Sequence, residues 1–156
     1  MSITSPSVQP AAVPGRGLMV AGGIAGMVGA LLVIVACAVP YLHTADGSPS
    51  IFNPGYPGGI WFALEPVAAV LIAITAGIVI MASSQRNLQM AAAAILLATG
   101  VQTFFSFVGY AGFDLSTTNR SAAPGSAIGI LGGLCLTTGG LLALIRAGWL
   151  DRPSGP

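Results

Sequence analysis

"GGIWFALEPVAAVLIAITAGIVIM", Gly58 to Met81, holds the chain's one glutamate, Glu65, followed by Pro66 and a long apolar run. From Val67 to Met81 no residue is charged, and Thr75 carries the one hydroxyl. A helix crosses the hydrocarbon core of a bilayer with about 20 mostly apolar residues, and Ile60 to Ala82 is long enough. Working outward, three more stretches qualify, giving helices at about 18–40, 60–82, 88–112 and 127–147. The expected fold is all-α, a four-helix transmembrane bundle over residues 18–147. A flexible tail at 1–17 and a short one at 148–156 flank it.

Composition agrees with a bilayer as the solvent. Of 156 residues, 54% are hydrophobic and 6% charged, against about 25% charged in soluble domains. A net charge of +1 offers nothing to a polyanion, so no nucleic-acid partner is expected. All five basic residues are arginines. Cys37 and Cys135 lie in apolar runs and belong to no C-x-x-C or Cys/His cluster, so neither metal nor cofactor is expected. "IVAC", Ile34 to Cys37, spells a relaxed lipobox. The apolar run before it is longer than the 7 to 15 residues of a signal-peptide core.

The connections set the threading. "YLHTADGSPSIFNPGYPGG" (41–59) and "FDLSTTNRSAAPGS" (113–126) are rich in turn residues. "SSQRN" (83–87) is a tight polar turn that makes the second and third helices antiparallel neighbours. Arg16, Arg86, Arg146 and Arg152 fall on one side, while Arg120 shares the other with His43, Asp46 and Asp114. The positive-inside rule then places both termini in the cytoplasm. Tyr41, Phe52, Tyr56, Trp61, Tyr110 and Phe113 mark the outer boundary and Trp149 the inner one.

Few positions offer more than packing. Gly22 and Gly26 in the first helix, and Gly129 and Gly133 in the fourth, have the G-x-x-x-G spacing that brings two backbones close. They are expected to pack the first helix on the fourth or to dock another protein's helix. In the third helix Thr99, Gln102 or Thr103, Ser106 and Tyr110 share a stripe, which is expected to face inward and hydrogen-bond between helices. Glu65 lies about 8 Å below the outer end of its helix, at a rise of about 1.5 Å per residue, level with Ser106. Intramembrane acids are functional candidates by default. Two local readings compete: a helix starting at Pro66 with Glu65 as its cap, or one starting near Ile60 with Pro66 inside it. The candidate polar site is Glu65, Gln102, Ser106 and Tyr110.

The whole chain resembles the small four-span membrane proteins of unknown function common in actinobacteria. Their first helix often ends in an apolar-Pro-aromatic step before an outer loop, as "ACAVPYLHTADG" (36–47) does here. The resemblance implies a bacterial inner-membrane location and, in some such proteins, service in a respiratory or envelope-building assembly. No functional residue carries over from it.

The expected role is that of a non-catalytic accessory or structural subunit. It would bind integral membrane partners through its glycine faces and outer loops, with self-association as a further mode. The alternative is a small proton-coupled transporter using Glu65. Compact dimeric four-helix exporters use one membrane glutamate in that way, but theirs is central in the first helix. An enzyme is not expected, because no nucleophile, acid–base pair or metal set is assembled in the spans.

Overall fold

The computed structural model describes residues 16–40, 42–43, 47–48, 50–52, 60–115 and 121–149. The side chains of residues 16, 42, 60–62, 110, 112–115, 121–122 and 149 lie outside that description. The protein is all-α, with α1 (Arg16–Ala38), α2 (Ile60–Ala82), α3 (Arg86–Leu115) and α4 (Pro124–Trp149). Each is long and apolar enough to cross a membrane, which makes this a multi-pass membrane protein.

Apart from α2, the expected boundaries needed adjustment. The first helix starts two residues early and stops before Pro40, because proline cannot continue the hydrogen-bond ladder. α3 begins at Arg86 instead of 88, and its last turn runs to Leu115 instead of 112. α4 starts at Pro124 instead of 127. Proline is favoured in the first helical turn, where its missing N–H costs nothing. The α2–α3 turn is thus only residues 83–85.

α4 packs along both α3 and α1, and α2 closes the ring by lying more loosely against α1 and α3. Neighbours are antiparallel. Gly22 of α1 faces Gly139 and Ala143 of α4, while Gly29, two turns on, faces Gly132 and Leu136. The core is small and Ala-rich, around the fully buried Ile80, Leu96, Leu136, Val33 and Cys37. Cys37 is therefore a packing residue inside α1, and neither cysteine is in a disulfide.

The glycines explain the uneven packing. Lipid gives helices no hydrophobic reason to associate, so close backbone approach has to supply it. A methyl built on Gly22 would meet the Gly139 carbonyl oxygen at 2.8 Å, and one on Gly133 the Phe104 amide nitrogen at 2.6 Å. One on Gly26 would strike the Leu96 side chain at 2.8 Å, and one on Gly129 the Phe107 ring. All four glycines are thus buried against this chain's own helices. The expectation that these glycines pack α1 on α4 holds for Gly22 and is corrected for Gly129 and Gly133. Gly129 and Gly133 face α3, and α4 meets α1 through Gly125, Gly132 and Gly139, one residue in seven along a separate face. A foreign helix has no room on these surfaces.

Both ends of the bundle are tied. At one end Leu42–His43 (β1) pairs antiparallel with Ser121–Ala122 (β2), joining the two long connections. The Gly125 amide donates to the Pro40 carbonyl at 2.9 Å beside it. At the other end the first turn of α3 closes its neighbours' C-termini. Arg86 donates through Nε (3.1 Å) and Nη2 (2.8 Å) to the Ala147 carbonyl of α4. Gln89 Nε2 reaches the Ser83 carbonyl at 2.6 Å. The last carbonyls of a helix lack intrahelical donors, so these side chains satisfy groups that would otherwise be unpaired near lipid.

Candidate functional site

Along α2 the residues Glu65, Ala69, Ile72, Ala76 and Val79 follow one another at three- and four-residue steps, and so line one face. On α3 the matching face runs Leu88, Ala92, Ile95, Thr99, Gln102 or Thr103, and Ser106. The α2–α3 seam is where these faces meet, and it changes character along its length.

Near the β1–β2 end the seam is polar. Ser106 donates from Oγ to Glu65 Oε1 at 2.5 Å, and Gln102 donates from Nε2 to the same oxygen at 3.4 Å. The carboxylate is thus held across two helices by a strong hydroxyl bond and a longer amide one. α2 is continuous from Ile60 through Pro66. That overturns Glu65 as a cap at a helix start and keeps the alternative of a hydrogen-bonded anchor. Because Pro66 has no N–H, the carbonyl of Phe62 loses its usual helical donor one turn above the carboxylate.

Behind the carboxylate is a small cavity. Glu65, Thr103 and Ser106 form its polar side, and Ile51, Pro66, Ala69 and Phe107 its apolar wall. About 10 Å³ is open to the centre of a water-sized sphere, the space of a single water. Ile51, from the connection that follows α1, is 5% exposed and lines it.

Thr103 was the half of the "Gln102 or Thr103" choice that spacing did not resolve. Both residues reach the seam, with different fates. Gln102 is exposed and bonds Glu65, whereas Thr103 is 3% exposed and its Oγ1 has no hydrogen-bond partner among the described residues. Three other threonine hydroxyls in the spans are satisfied locally. Thr75, Thr137 and Thr138 each donate at 2.8 Å to the carbonyl four residues earlier. Thr103 departs from that pattern at the wall of the cavity. Tyr110, the fourth expected member of the site, belongs to α3, but its side chain lies outside the described residues.

Towards the other end the seam is apolar and open. Leu71, Ile72 and Val79 of α2 face Leu88 and Ile95 of α3 across a groove of about 600 Å³. Thr75 adds only its methyl, since its hydroxyl is turned back to Leu71. Leu71 is 62% exposed there and Ile95 51%.

Of the ionisable residues in the outer connections, His43 stands apart from this site. His43 Nδ1 pairs with Ser48 Oγ at 2.8 Å on an exposed surface. Asp46 and the side chain of Asp114 lie outside the described residues. Among the described residues no three His, Cys, Asp or Glu side chains come together in the manner of a metal-ligand cluster. Comparison with models of known families finds no match, and comparison with curated proteins also finds none.

Proposed function

We propose that this chain is a non-catalytic accessory or structural subunit of a larger bacterial membrane complex, a respiratory or cell-envelope assembly. It resides in the cytoplasmic membrane with both termini inside, and its partner is an integral membrane protein. The observation that carries the reading is the contrast between the seams. Glycine contacts consume the α1–α4 and α3–α4 faces within the chain, while the α2–α3 seam stays open as an apolar groove. The groove spans more than two helical turns, from Leu71 to Val79, and Glu65 lies further along the same seam. A partner transmembrane helix fits that pattern if it is apolar along the groove and brings a hydrogen-bond donor or a cation level with Glu65. Docking therefore moves from the glycine faces to this seam.

Purification of the tagged protein in mild detergent, with a photo-crosslinking residue at Ile95, tests the reading. A stoichiometric membrane partner crosslinked through Ile95 supports it. Recovery of the chain alone, with crosslinks to lipid only, overturns it.

One observation favours a second reading, a small proton-coupled transporter: the carboxylate faces a cleft between helices and is held by hydroxyl and amide donors. Transport by the purified chain in liposomes, lost in Glu65→Gln, would support that reading over the first.

A further inference from the structure

Gln102 is an exposed amide inside a span. The spanning part of α3 ends at Gly109, so Gln102 lies about 10 Å in from that end at a rise of about 1.5 Å per residue. A glutamine amide has two N–H donors and a carbonyl acceptor. Nε2 donates to Glu65 at 3.4 Å, and among the described residues the other N–H and the carbonyl have no partner. Hydrocarbon supplies none, and a polar group left unpaired there is costly.

The helix around this amide is open to close approach. Ala94, Ala98 and Gln102 follow one another at four-residue steps and form one ridge along α3, and both alanines are exposed. The corresponding surfaces of the other long-packed helices are bulky. α1 presents Ile24, Val28 and Leu31 to lipid, and α4 presents Leu131, Leu134 and Leu141. Small side chains let two membrane helices come close, and amides hydrogen-bond across the contact. The α3 ridge has both, with the amide one turn from Ala98.

We propose that this ridge is the contact between two copies of the chain, crossing at Ala98 about a two-fold axis along the membrane normal. Two copies inserted the same way place each Gln102 opposite its own equivalent at the same depth. Each available N–H then donates to the other copy's carbonyl, a reciprocal pair that satisfies both groups. A different protein would have to bring its own amide to that level, whereas a second copy brings it by symmetry. The bond to Glu65 stays in place, because the pair uses the other N–H of Gln102. The apolar groove lies on the flank of α3 that faces α2, so each copy keeps it open. The dimer therefore goes beyond the subunit reading and does not depend on it.

The test is sedimentation equilibrium of the full chain in density-matched micelles, together with disulfide crosslinking in native membranes. The parent chain should pass from monomer to dimer as the protein-to-detergent ratio rises. Gln102→Leu removes two reciprocal bonds and should weaken the dimer about fivefold to tenfold. Ala98→Leu changes an exposed position, leaves the Gln102 bond to Glu65 intact, and should keep the chain monomeric at ratios where the parent is dimeric. With Cys37 and Cys135 replaced by alanine, Ala98→Cys should give a disulfide-linked dimer, and Leu141→Cys on the exposed face of α4 should not. A parent chain that is monomeric at every ratio overturns the proposal. So does a dimer of equal strength in the parent and Ala98→Leu, which needs no folding of the Gln102 variant to be read. Crosslinking of Ala98→Cys to a different protein in place of a second copy overturns it as well. The subunit reading is tested at Ile95, so the two can fail separately.

Discussion

Gly139→Ala adds one methyl group to the closest backbone contact between α1 and α4. That methyl would lie 2.6 Å from the Gly22 carbonyl oxygen and 2.8 Å from the Gly26 amide nitrogen, whereas ordinary contact begins at 3.4 Å. The shortfall against the oxygen is 0.8 Å. Both obstacles are backbone atoms, so no side-chain rotation relieves them, and the two helices must separate. Separation also loosens Gly132 against Val33 and Gly22 against Ala143, which share the same face. Overpacking of this kind costs about 1 to 3 kcal/mol, and the upper half of that range is expected because the obstacle is rigid on both sides. Gly109→Ala is the internal control. Nothing lies within 4 Å of a methyl there, and alanine in place of a mid-helix glycine is worth about 0.5 to 1 kcal/mol of stability. The two single-methyl variants should therefore differ in sign. Reversible unfolding in mixed micelles, by denaturing detergent titration monitored with circular dichroism, reads both. Equal stability of the two variants would refute the conclusion that the glycine faces are consumed inside the chain.

Other expectations follow from single contacts. In a double-mutant cycle, Glu65→Ala with Ser106→Ala should give a coupling of about 1 to 1.7 kcal/mol, near the upper end for membrane hydrogen bonds, and Gln102→Ala should couple to Glu65→Ala by about 0.6 or less. Couplings in the reverse order would contradict the 2.5 and 3.4 Å geometry. Arg86→Ala removes two donors from the Ala147 carbonyl and should cost about 1 to 2 kcal/mol in the same titration. Arg86→Lys should recover only part of it, because an ammonium cannot reproduce the guanidinium fork; full recovery would show that charge alone matters. Leu96→Ala empties a fully buried site touching Gly26 and should cost about 2 to 5 kcal/mol. Leu88→Ala, half exposed in the open seam, should cost far less, and comparable losses would mean that the seam is closed.

The spans were legible because a bilayer imposes a length that hydropathy records directly. Residues 60–82 and the adjoining tight turn needed no tertiary information. The pairing of Glu65 with the Gln102/Ser106 stripe was legible as well, since depth and helical spacing together place those residues level on adjacent helices. Which of Gln102 and Thr103 would bond was not. Neighbouring residues on a helix both fit a mixed three- and four-residue stripe, and the rotation of α3 against α2 decides between them. The glycines show the same limit. Gly129 and Gly133 form a recognisable motif, but motif spacing names a face and not the helix it meets. Gly132 and Gly139, which do meet α1, are seven apart and escape a four-residue search. Thr103 stood on the stripe, but helical spacing cannot mark a hydroxyl whose bond is left unmade.

Because Gly22 of α1 rests on Gly139 and Ala143 of α4, the first and last helices leave the bundle side by side, at the same end. The ring of four is therefore closed in space although the chain is open. A short linker can join Trp149 back to Arg16, and new ends can be cut in the three-residue turn at 83–85. This gives a permuted gene whose order is α3, α4, α1, α2. The tightest contacts would then form between consecutive segments, and α2 would become the last helix to arrive.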